Sequence, residues 1–144
     1  MQKHPSLWRI VETDYTSMLA VLAPLVVWGV GVVTRFFDPE ASAWFLKIAP
    51  TVTVVAFLIL LWRIRLIRSV FAYGEEVPGV IYAIGFFRGR GRVEYLYSYG
   101  EVKYRSSNAI HQTKRAKMLQ PGQHVTVVVD RDHPKRAFIK ELYL

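Results

Sequence analysis

The chain has 144 residues, a formal charge of +8 and no cysteine, which excludes a disulfide framework and any thiol nucleophile. Hydrophobic residues make up 52 % of it and are unevenly spread, so their placement decides the class.

After a tail at 1–14, Tyr15 to Thr34 runs 20 residues between Asp14 and Arg35 without a formal charge. As helix this is about 30 Å, the thickness of a bilayer core. The alternative of a buried core helix needs more apolar surface than the rest of so short a chain supplies. A secretory signal fits Lys3 and Arg9 but not Glu12 and Asp14, and no small-residue cleavage pattern follows. The first span is therefore expected at 15–36, with Pro24 bending it.

A short linker at 37–43 follows, in which Asp38-Pro39-Glu40 reads as a turn feeding a helix start. The second span, 44–62, is less clean because only Ile48 to Trp62 is uncharged. Extending it back to Trp44 gives about 28 Å of helix, with Lys47 near enough to the end for its ammonium to reach the headgroups. Trp44 and Trp62 are expected at the two interfaces. Pro50 lies in the first turns, where it is best tolerated. The simplest arrangement is an antiparallel helical hairpin with both chain ends on one side. Gly29 and Gly31 offer close helix contact, and Thr51 and Thr53 can satisfy their hydroxyls within the helix. No Asp, Glu or His lies deep in either span, which argues against a proton relay or ion path.

Arg63, Arg65 and Arg68 follow the second span, while the linker balances Arg35 and Lys47 against Asp38 and Glu40. The basic excess places both termini of a two-span chain in the cytoplasm. Residues 63–76 read as a basic juxtamembrane extension of the second helix, with Ile64, Ile67 and Phe71 on one face. Its arginines are expected to anchor to anionic lipid headgroups.

From residue 77 to 144 the pattern is that of a soluble β domain. Pro78-Gly79 marks its entry and Val80 to Phe87 is the first strand. Arg88-Gly-Arg-Gly-Arg92 reads as a loop, too glycine-rich for a strand interior. Tyr95, Tyr97 and Tyr99 alternate with polar residues, Gly100 turns the chain, and Val102 to Ser106 returns. Ser107 to Leu119 is polar and partly helix-compatible. His124 to Asp130 and Ala137 to Leu142 supply two more strands. Five short strands indicate a small all-β domain, an SH3-like or OB-like five-stranded barrel or curled antiparallel sheet, with the shared tyrosine face inside.

Residues 1–76 carry 7 Lys and Arg against 6 Asp and Glu, a net +1, and residues 77–144 carry 12 against 5, a net +7. Such a domain attracts anionic lipid, nucleic acid or an acidic protein face. Its densest clusters, Arg88, Arg90 and Arg92 and then Lys114, Arg115 and Lys117, are the candidate contacts for a partner or anion, both expected in loops. Nucleic acid is disfavoured, because core packing explains the tyrosines better than stacking does. Enzymatic readings lack parts. His111, His124 and His133 have no metal-ligand spacing, no serine sits in an elbow motif, and the arginine–glycine run lacks the ending of a phosphate loop. No cofactor is expected.

Three segments together, Tyr95 to Tyr104, Pro121 to Val127 and Asp130 to Ala137, resemble a bacterial membrane-protein family catalogued only as a domain of unknown function. Its members join transmembrane helices to a small β domain with a tyrosine-rich hairpin, a Gly-x-x-Val-x-Val strand and an Asp-Pro-x-x-Pro-like turn. The resemblance covers roughly residues 74 to 142. Arg131 and Tyr99 depart from the pattern, where proline and Asp or Asn are usual. It implies a fold and brings no catalytic residues. The expectation is a non-enzymatic accessory or scaffold subunit that binds an integral membrane protein partner, with a basic module for anionic lipid or nucleic acid as the rival. A homo-oligomer is a further arrangement, and a pore within it is disfavoured by the apolar spans.

Overall fold

The computed structural model describes residues 4–144; the first three, including Lys3, lie outside them. A short helix α1, Leu7–Thr13, precedes α2, Tyr15–Thr34, and α3, Pro39–Tyr73. One extended residue, Asp14, separates α1 from α2, and its carboxylate caps α2 by accepting from the Ser17 N–H at 2.9 Å. Asp38 caps α3 in the same way, and Pro39 takes the first helical position as expected.

Helices α2 and α3 form an antiparallel pair. Near the linker, Ser42 Oγ donates to the Gly31 carbonyl at 2.7 Å. A Cβ on Gly31 would stand 3.1 Å from Leu46, so close approach here rests on that glycine. Gly29 has nothing within 4 Å and makes no such contact. Farther along, Trp28 Nε1 donates to Thr53 Oγ1 at 3.0 Å, while the Thr53 hydroxyl donates to the Ala49 carbonyl. Both helices are long and apolar enough to cross a membrane, yet only 17 % and 11 % of their apolar windows are buried. A core helix of a soluble domain would be covered on most sides.

The last eleven residues of α3, 63–73, continue from the apolar run without a break. Of the face read from the sequence, Ile67 and Phe71 are buried in the core of the following domain and Ile64 packs partly buried against it, while Val70 joins them. The extension is thus a structural part of that domain. It ends at Gly74, whose N–H donates to the Val70 carbonyl at 2.8 Å, and Glu75 and Glu76 already belong to a strand.

That strand is β1, Glu75–Phe87; the others are β2, Arg90–Tyr99, β3, Val102–His111, β4, His124–Val129, and β5, Ala137–Ile139. They form one antiparallel sheet in the order β3-β2-β1-β4-β5. Backbone pairing does not join β3 to β5. Side chains cross the seam instead, with Tyr97 Oη donating to the Pro134 carbonyl, Ser106 Oγ to Lys135 and Asn108 Nδ2 to Ala137. Tyr95 Oη lies 2.5 Å from the Ala137 carbonyl and 2.8 Å from Asn108 Oδ1. The result is a strongly curled, barrel-like sheet closed by polar side chains. Tyr95 and Tyr97 are buried inside it, as the shared strand face predicts.

Four local expectations change. Pro78-Gly79 lies within β1, where Gly79 leaves room for Val127; a Cβ there would stand 2.6 Å from its Cγ2. The arginine–glycine run is mostly strand: only Arg88 and Gly89, at φ 48° and 83°, make the two-residue turn. Gly91 is in β2 because the Phe86 ring occupies the space of its missing side chain. Strand β3 runs on to His111 before α4, Lys114–Met118, which is capped by Thr113. The last segment is strand only to Ile139 and then turns into α5, Lys140–Tyr143, which folds the Tyr143 ring against Phe71 and Phe138.

Candidate functional site at the membrane boundary

Asp14 and Arg63 each end an uncharged run, on the side where both helices meet the β domain. The hairpin brings them together, with Arg63 Nη2 2.8 Å and Nε 3.1 Å from the Asp14 carboxylate. Asp14 is fully buried, and the Arg63 side chain is 17 % exposed. Ser17 Oγ donates to the same carboxylate at 2.8 Å. The Arg63 guanidinium also stands 5.5 Å above the Phe138 ring. Around this pair Thr13 Oγ1 donates to the Leu142 carbonyl, and Asp14 bridges to Ile110 of β3. Arg63 therefore clamps the domain-side ends of α2 and α3 together against Phe138, in place of the headgroup anchor expected for it. A buried carboxylate leaves an arginine at this spot no reason to reach outward.

Tyr143 completes the cluster. Its hydroxyl is buried with no hydrogen-bond partner among the described residues. Burial raises its pKa far above that of a free phenol; the Asp14 carboxylate pushes the same way and Arg63 opposes. Tyr95 is also raised well above the ordinary value, chiefly by burial. The unfolded chain releases both protons near pH ~10, whereas the fold retains them. Their contribution to stability is complete below that pH and is lost as pH rises through and beyond it. Tyrosinate absorbance and circular dichroism recorded on the same alkaline titration should show these two phenols ionising only as ellipticity is lost. Complete tyrosine ionisation in a folded protein would contradict their burial.

The remaining candidate residues separate into groups. Arg65 and Arg68 are exposed on the polar side of α3 beyond the span. Trp62 is exposed just inside it, while Trp44 and Lys47 are exposed toward the linker end. Arg88 and Arg90 lie 5.1 Å and 5.8 Å over the exposed Phe87 ring at the hairpin tip. Arg92 leaves that cluster: it donates to Ser107 Oγ and approaches Glu94 on the outer face of the sheet. Arg105 donates to the same Glu94, holding it below the usual carboxylate range, and stacks over Tyr82.

Lys114, Arg115 and Lys117 lie on α4, a helix where a loop was expected. Lys114 and Arg115 face Arg9, Glu12 and Thr13 of α1 across a cleft of about 400 Å³. Arg9, Trp8 and Asp14 were not among the residues the sequence pointed to. The signal available for Asp14 was its position opposite Arg63 on the same side of an antiparallel hairpin.

His111, His124 and His133 fall on β3, β4 and the turn before β5. Among the described residues no three acidic or histidine side chains converge to hold a metal ion. The domain's exposed cations lie on the hairpin tip, α4 and the outer sheet face, with Arg9 of α1 beside α4. The model of a family described as a domain of unknown function, DUF3592, matches residues 71–142, half of the chain. No curated protein and no solved structure matches it.

Proposed function

The chain belongs to the DUF3592 family, and from that premise we propose that it is a non-enzymatic, membrane-anchored accessory or scaffold subunit of a bacterial membrane protein complex. The observation that carries this reading is the continuity of hairpin and domain. Helix α3 runs from the span into the domain core, and the Asp14–Arg63 pair locks α2 to the same unit. A platform of fixed height and orientation is what a docking subunit requires, whereas a catalytic subunit requires reacting groups in a cleft. The excess of Lys and Arg on the domain side supports a cytoplasmic location for both termini and the inner membrane as the site. We read the curled sheet as OB-like in preference to SH3-like, because β1 lies between β2 and β4 and α4 intervenes between β3 and β4.

The contact with partner helices falls on the uncovered apolar faces. Between α2 and α3 an apolar furrow of about 430 Å³ is lined by Ala20, Ala23, Val52 and Ala56. Purification in mild detergent should retain an integral membrane protein in fixed ratio, and Ala23→Leu with Ala56→Leu, which fill the furrow, should release it. A chain that purifies alone from native membranes, in every mild detergent tried, would refute the scaffold reading.

A further inference from the structure

We propose that the end of the β domain beside the spans is a docking rim for an anionic lipid leaflet. Trp8, Phe87 and Met118 enter the headgroup layer, and Arg9, Arg90 and Lys114 bind its phosphates. The inference rests on reading α2 and α3 as membrane spans, but not on the existence of a protein partner.

Register places the rim. Asp14, the last residue before the first span, bridges to Ile110, and Ile110 pairs with Gly91. Two strand spacings, about 10 Å, therefore separate the entry to the span from the arginine hairpin. The Gln112 N–H donates to the Gly89 carbonyl at 2.9 Å, which ties the tip of that hairpin to the segment leading into α4. Helix α4 in turn faces α1 across the basic cleft, and α1 runs directly into Asp14. Three basic groups far apart in sequence thus gather around the point where the chain enters the bilayer.

Their neighbours are unusual for an aqueous surface. Trp8, 76 % exposed, stands next to half-buried Arg9 on α1; Met118, 69 %, shares α4 with exposed Lys114, Arg115 and Lys117; and Phe87, 59 %, adjoins exposed Arg88 and Arg90 at the hairpin tip. Large apolar side chains interleaved with Lys and Arg are the composition of an interfacial anchor. Phe87 lies under two guanidinium groups, which keeps the cations near its ring; a ring at the acyl boundary would then hold them near the phosphates. The two spans hold the rim beside the leaflet already, so weak contacts suffice to close it.

The native chain has no cysteine, so single labels can be placed in the full-length protein. Phe87→Cys and Met118→Cys place a fluorophore on the rim. Asp132→Cys places one beside Tyr73 at the far end of α3. In nanodiscs of phosphatidylcholine with phosphatidylglycerol, a nitroxide on the lipid headgroup should quench both rim labels and spare the control. Arg90→Glu with Lys114→Glu should shift the docked population about fivefold per cation removed at low salt. Rim labels quenched no more than the Asp132 label would overturn the proposal. Rim labels shielded from both lipid and aqueous quenchers would also overturn it, in favour of a protein surface. Quenching unchanged by the charge reversals would overturn the assignment of these cations to phosphate.

Discussion

Asp14→Ala is expected to destabilise the docked domain by about 3–5 kcal/mol, the range for removing one partner of a buried ion pair. The substitution leaves the Arg63 guanidinium between the hairpin and Phe138 with its three hydrogen bonds to the carboxylate gone. It also removes the α2 cap and the acceptor for Ser17 Oγ. Arg63→Met leaves the opposite orphan, a buried carboxylate held only by Ser17 groups. The double variant Asp14→Leu with Arg63→Met removes both charges and should be far less damaging than the sum of the two. Replacing a whole buried pair with apolar groups is often close to neutral. Thermal unfolding of the full-length protein in detergent, followed by circular dichroism, reads all three. Single variants that melt like the native chain would mean that the pair is not what holds the domain-side ends of α2 and α3 together.

This clamp also marks where sequence reading stopped. The two long apolar helices were legible because a chain of this length has too little apolar surface of its own to cover a run of 20 uncharged residues. The Asp38-Pro39 helix start was legible from its capping chemistry. The buried face of the curled sheet was legible because Tyr95 and Tyr97 keep the two-residue period of a strand. Asp14 and Arg63 were each read as a charge at a membrane edge, since either alone fits that role. Only the hairpin makes them neighbours.

Glycine was the second obstacle. Gly89 and Gly100 serve turns with positive φ, whereas Gly79 and Gly91 serve space for Val127 and Phe86 across the sheet. A sequence does not distinguish these two uses, so the arginine run looked like a loop. The α1–α4 cleft was hidden for a different reason. Arg9 and Lys114 are about a hundred residues apart and meet only because Asp14 takes a place beside β3.

Gly74→Ala is the other large effect expected, and it tests the junction between membrane helix and domain. A Cβ there would stand 2.3 Å from the Val70 carbonyl oxygen, 2.7 Å from that of Val129 and 3.0 Å from a Val128 methyl. Two of these neighbours are backbone, so relief requires moving either the end of α3 or strand β4. Moving the helix breaks the Gly74 N–H to Val70 bond, and moving the strand breaks the Glu75–Val129 pairing. A loss of about 3 kcal/mol follows, at the upper end for overpacking. Gly85→Ala is the matched control, since Gly85 is in β1, the strand that follows Gly74, has a negative φ and has nothing within 4 Å of the added methyl. It should be neutral or stabilising by about 0.5 kcal/mol, through the reduced freedom of the unfolded chain. Equal melting temperatures for the two variants would show that the domain is not held to α3 through this contact.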